Sequence, residues 1–156
     1  MKEQIQTCIL PELPIVGTLQ LSSRDGLSLC QIVVTKKQKP TELSPFFKKC
    51  MKQIEAFLSA KTKTLDLNLD MKGLSSFQLK VLNEMKKIPY GKVLTYRDLA
   101  VGIKSKGYQA VGSACGKNPF LLIYPCHRVV GQKDLGGFAH GLPMKKKLLA
   151  LESYCS

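Results

Sequence analysis

At 156 residues with 44% hydrophobic content, the chain is long enough for one or two small domains with a real core, and too apolar for a disordered tail. Lysine and arginine number 24 against 11 acidic residues, and the net charge of +13 favours polyanionic partners, nucleic acid ahead of a membrane surface. The six cysteines are scattered without disulfide-framework or metal-ligand spacing, and no apolar run approaches the roughly 18 residues of a membrane span. With two histidines and no CxxC, neither a zinc site nor any cofactor is expected. The opening Met1-Lys2-Glu3-Gln4 leads into no secretory signal. These features predict a soluble, cytoplasmic protein (nuclear in a eukaryote) with free thiols and no membrane partner.

In chain order, Ile15 to Leu21 and Leu27 to Val34 are strand-like, and Ser23-Arg24-Asp25-Gly26 between them is a hairpin signal. Residues 45–59 predict a helix, with Phe46, Phe47, Met51, Ile54, Phe57 and Leu58 at core-facing spacing. Leu65, Leu67 and Leu69 alternate with polar residues as a half-buried strand or extended linker. Gly73 marks the expected boundary between an α+β domain, 1–72, and a mostly helical domain, 73–156. Ser75-Ser76-Phe77-Gln78 is a capping box opening a helix that Pro89-Tyr90-Gly91 stops. A second short helix starts at Thr95-Tyr96-Arg97-Asp98. After a loop at 102–107, a third spans Tyr108 to Gly116, and the pair reads as helix-turn-helix.

That third helix is slim. Ala110, Gly112, Ser113, Ala114 and Gly116 line it, and each glycine costs about 1 kcal/mol relative to alanine. Either tight helix packing or a close external partner must compensate. Beside a basic surface, the second option is a helix laid into a DNA minor groove, only about 6 Å wide.

The apolar run Phe120-Leu121-Leu122-Ile123-Tyr124 ends in Pro125-Cys126-His127-Arg128-Val129-Val130. Proline ends the run and pins a thiol beside an imidazole. A cysteine is nucleophilic only as thiolate, and histidine or positive charge shifts it that way. The competing reading is a core cysteine beside a surface histidine.

The hexapeptide resembles the active-site signature of the O6-alkylguanine-DNA alkyltransferases, also called methylated-DNA–protein-cysteine methyltransferases. Tyr90-Gly91-Lys92-Val93-Leu94-Thr95-Tyr96, Ala110-Val111-Gly112, Gly116-Lys117-Asn118-Pro119 and Leu135-Gly136-Gly137-Phe138 extend the resemblance in order over about half the chain. Residues 1–70 carry no matching motif. The resemblance implies an α+β fold with a small ribonuclease H-like domain and a winged-helix-like helix-turn-helix domain. It implies a monomer that binds double-stranded DNA containing O6-alkylguanine through the minor groove. It also implies repair in a single turnover: the base is flipped out, and Cys126 keeps its alkyl group.

The same resemblance distributes roles among residues. His127 is the base, acting through a water because neighbouring side chains of an extended segment diverge. Glu152 orients the imidazole, and Tyr96 protonates the departing guanine. Val129 offers its carbonyl to the guanine amine, and Asn118 caps the third helix as a hinge. Arg128, grouped with the binding residues, is expected as an internal brace. Gln109 stands where relatives have the arginine that fills the space of the flipped base, with Ala110 and Gly112 beside it. Residues 134–142 form a lid in which Phe138 and Ala139 replace tyrosine and serine, and His140 reads as a surface residue. Two alternatives stay open on sequence: a damage-binding relative without transfer activity, and a helix-turn-helix regulator with an inert or redox-sensing Cys126.

Overall fold

The computed structural model describes residues 3–154, so Met1-Lys2 at the expected non-signal start and the thiol of Cys155 lie outside the described residues. The architecture is mixed α/β, with small sheets and five α-helices among the described residues. The chain divides into two compact units, Met1–Lys72 and Gly73–Ser156.

The first unit is a three-stranded antiparallel sheet, β1 (Gln6–Ile9), β2 (Thr18–Ser23) and β3 (Gln31–Thr35), in that order. β2 starts later than its hydrophobic pattern suggests, because Leu13 and Gly17 exchange backbone hydrogen bonds around a tight turn with Ile15 at φ 71°. β3 also starts late. The Asp25 carboxylate accepts from the N–H groups of Leu27 and Ser28, both at 2.8 Å, and so stretches the two-residue hairpin into a longer loop. β1 escaped the pattern because only four residues pair and its two buried residues, Cys8 and Ile9, are adjacent. Helix α1 (Pro45–Leu58) has Pro at its first position and Ser44 as N-cap, accepting from the Phe47 N–H. It buries Phe47, Cys50, Ile54, Phe57 and Leu58, whereas Phe46 and Met51 stay partly exposed. Of the Leu65–Leu69 alternation, only Leu69 forms a bridge, parallel to Leu29.

The second unit holds α2 (Ser76–Lys86), α3 (Tyr96–Gly102), α4 (Tyr108–Gly116) and α5 (Leu142–Tyr154). Both expected capping boxes are present, Ser75 with Gln78 and Thr95 with Asp98, each cap being worth about 1 kcal/mol. Strands β4 (Leu94–Thr95) and β5 (Val129–Val130) pair in parallel and bring the end of the reactive hexapeptide beside the start of α3. Residues 120–125 are all buried and carry no strand. Leu122 reverses the chain at φ 73°, and Pro125 leads into a 3-10 turn, Cys126–Arg128, rather than the extended segment expected. In this turn the His127 ring still makes no hydrogen bond to the Cys126 thiol.

Candidate active site

Cys126 lines a cavity of about 140 Å³. Its walls come from three places: Tyr96 at the start of α3, Gly112, Cys115 and Gly116 on α4, and the 137–140 loop. Asn118 completes the floor. Its side chain does not cap α4; it donates to the Tyr124 carbonyl at 2.8 Å and accepts from the Phe120 N–H at 2.9 Å, pinning the buried reversal to the cavity. The Cys126 thiol keeps part of its surface open to the cavity, yet burial pushes its ionisation upward. Four features oppose that rise: the Asn118 side chain, the backbone N–H of Cys126 itself, the Lys145 charge and the His127 backbone N–H.

His127 is fully buried. Its Nε2 stands 2.7 Å from Glu152 Oε1, and Nδ1 has no hydrogen-bond partner among the described residues. Burial lowers the imidazole's pKa more than Glu152 raises it, so the ring is neutral near pH 7. Since an ionised carboxylate can only accept, the proton sits on Nε2 and Nδ1 keeps the free lone pair. Burial on its own would raise Glu152, but hydrogen bonds from His127 and Arg128 outweigh it and hold the carboxyl down to about 2. Arg128 forks onto Glu152 through Nε and Nη2 and donates from Nη1 to the Ile88 carbonyl at 2.8 Å. Its place among the binding residues is corrected: it is buried, and it braces the carboxylate that braces His127.

Two further placements differ from expectation. Val129 is fully buried and is not among the residues lining the cavity, and its carbonyl accepts from Lys145 Nζ at 2.6 Å. His140 is half-buried in the cavity wall, edge-on to Phe138 at 5.6 Å, and is no surface residue. Gln109 and Ala110 lie outside the cavity on the exposed face of α4, while Gly112, Phe138 and Ala139 line it. Tyr96 donates its hydroxyl to the Gly137 carbonyl at 3.2 Å, and burial raises its pKa, so it stays a protonated donor at neutrality.

Lys145 is a site residue that neither motif nor charge singles out from its neighbours Lys146 and Lys147. It is fully buried, donates to Val129 and Gly137 carbonyls at 2.6 and 2.9 Å, and lies 5.9 Å from the centre of the Tyr96 ring. Among the described residues, the ionisable neighbours that favour its charge are the Cys126 and Cys115 thiols and Asp134. A signal existed: Lys145, Leu148 and Glu152 recur at i, i+3 and i+7, the spacing of one buried helix face.

Comparison with known proteins follows the same residues. The family described as 6-O-methylguanine DNA methyltransferase, DNA binding domain, matches residues 76–154. The methylated-DNA–protein-cysteine methyltransferase of Methanosarcina barkeri is 38% identical over 148 residues, covering 90% of this chain and 93% of its own. That of Methanosarcina acetivorans is 37% identical, covering 92% and 96%. Among solved structures, Mycobacterium tuberculosis OGT in complex with DNA superposes with a TM-score of 0.83 at 30% identity, over 96% of this chain and 94% of that one. The thiol-lined cavity thus sits in a chain that resembles these relatives over nearly its whole length, and the protein belongs to the methylated-DNA–protein-cysteine methyltransferase family.

Proposed function

We propose that this protein repairs DNA by moving an alkyl group irreversibly from guanine O6 to Cys126, in a single turnover. The observation that carries the reading is the Cys126 thiol in a cavity beside a buried, neutral His127 whose tautomer Glu152 sets. His127 Nδ1 takes the thiol proton through a water. Sγ then attacks the alkyl carbon: the S–C bond forms, the C–O bond breaks, and the electron pair leaves on the purine. The Tyr96 phenol donates a proton to the guanine ring, so the base departs neutral. The backbone N–H of Ala139 serves guanine O6, and Phe138 supplies an aromatic wall.

Residues 73–156 carry both DNA binding and chemistry in this reading, as a winged-helix-like unit acting as a monomer. Residues 1–72, read as ribonuclease H-like, support it. The exposed face of α4 enters the minor groove, with Gln109 reaching into the space the extruded base leaves. Its glycines support this. A Cβ on Gly116 would meet nothing within 4 Å and one on Gly112 only Tyr96 Cδ1 at 4.0 Å, so packing inside the chain does not call for glycine at either position.

Incubation with O6-methylguanine duplex should add one methylene to the intact mass, mapped to Cys126. Cys126→Ser should bind the duplex and gain nothing; methyl uptake by that variant would refute the assignment.

A further inference from the structure

A second cavity, of about 290 Å³, lies against Tyr96 and is lined by Arg97, Tyr108, Gly131 and Gln132. Tyr96 borders both cavities, so the second lies next to the reactive pocket. Tyr108, the first residue of α4, is 50% exposed, an expensive placement for an aromatic with no partner inside the protein. Neither its hydroxyl, nor the Arg97 guanidinium, nor the Gln132 amide makes a hydrogen bond among the described residues. Two flat rings, a free guanidinium and a free amide around one depression match the parts of a nucleotide. The rings take a base face, the guanidinium a phosphate, and the amide a base edge or sugar. The surrounding charge fits a polyanion: Lys104 and Lys106 are exposed in the loop joining α3 to α4, and Lys117 is exposed at the end of α4.

We propose that this cavity is a second subsite, which holds the nucleotide flanking the extruded guanine. The subsite rests on the DNA-transfer reading above and extends it. By holding the neighbouring nucleotide on Tyr108, the protein stabilises the extruded state, a task for which Gln109 offers little stacking surface.

The test uses a duplex with 2-aminopurine beside O6-methylguanine, bound by the Cys126→Ser variant so that no reaction intervenes. Binding should quench the 2-aminopurine. Adding Tyr108→Ala should abolish the quench and weaken duplex affinity about tenfold, the scale of one lost base–aromatic stack, whereas Tyr108→Phe should retain both. With Cys126 intact, Tyr108→Ala should slow transfer from duplex about tenfold while transfer from free O6-benzylguanine changes less than about twofold. An unaltered quench, or equal slowing on both substrates, overturns the subsite. Absence of transfer from either substrate by the protein with Tyr108 intact would overturn the transfer reading instead, and the quench would then decide the subsite alone.

Discussion

A lysine sealed inside a protein without an ion-pair contact is costly, because the ammonium loses its water and its neighbours must replace it. Lys145 meets this cost with two carbonyls and the electrostatic reach of the Cys126 thiol. The cation favours the thiolate, in opposition to burial. Lys145→Met should therefore slow transfer about tenfold near neutrality and move the pH–rate profile upward, one pKa unit being a factor of ten. A slower rate with an unmoved profile would mean packing only. Glu152 and Arg128 act as one unit with His127. Breaking a buried pair leaves a charge uncompensated, so Glu152→Gln should cost about 3–5 kcal/mol in urea unfolding near neutral pH. The acid response has a definite sign. Glu152 ionises at about 2 in the folded state against its ordinary 4.5, so its contribution is present above 4.5 and lost as pH falls toward 2. His127 is depressed below 6.5, so the unfolded chain takes up a proton that the folded one refuses, and stability begins to fall below 6.5. Urea midpoints measured downward from about pH 7 should fall through both windows, and Glu152→Gln should shrink the lower one, to which Asp25, Asp70 and Asp98, also held low by hydrogen bonds, still contribute.

At the level of elements, local signals were read accurately where the physics is local. Both capping boxes involve side chains reaching three residues along the chain, and α2 and α3 start where their caps stand, whereas α4 starts at Tyr108 without a side-chain cap. Strand ends were less legible, because β2 and β3 begin where turn chemistry around Ile15 and Asp25 lets them begin. The 120–125 reversal was illegible for another reason: Leu122 holds a positive φ only because Asn118 and the surrounding core hold it there. Within residues 134–142, Gly136 and Gly141 both hold positive φ, and Gly136 is also crowded. Gly136 has φ +68°, and a Cβ there would stand 2.7 Å from Tyr96 Cε2 and 3.0 Å from the Gly131 nitrogen. Gly136→Ala should cost about 1–3 kcal/mol, read as a lower Tm, and slow transfer by displacing Tyr96 from the cavity.

Across the whole molecule, a net charge of +13 makes DNA affinity an ionic-strength effect. Binding constants plotted against salt on logarithmic axes should fall in a straight line, with about −0.9 of slope per phosphate neutralised; a flat line would remove DNA as the partner of this charge. Among the described residues no helix is long and apolar enough to cross a membrane. The amino-acid sequence alone determined the chemistry available, a thiol and an imidazole in fixed order, and the helices whose caps and periodicity lie within a few residues of one another. Tertiary structure decided which groups meet. Glu152 stands 25 positions from His127, and Arg128 reaches back 40 positions to Ile88. Lys145 turns inward from a run of three lysines that composition cannot tell apart. Charge and hydrogen bonding act through space, so the protonation state of the site and the walls of its cavity exist only once the chain has closed on itself.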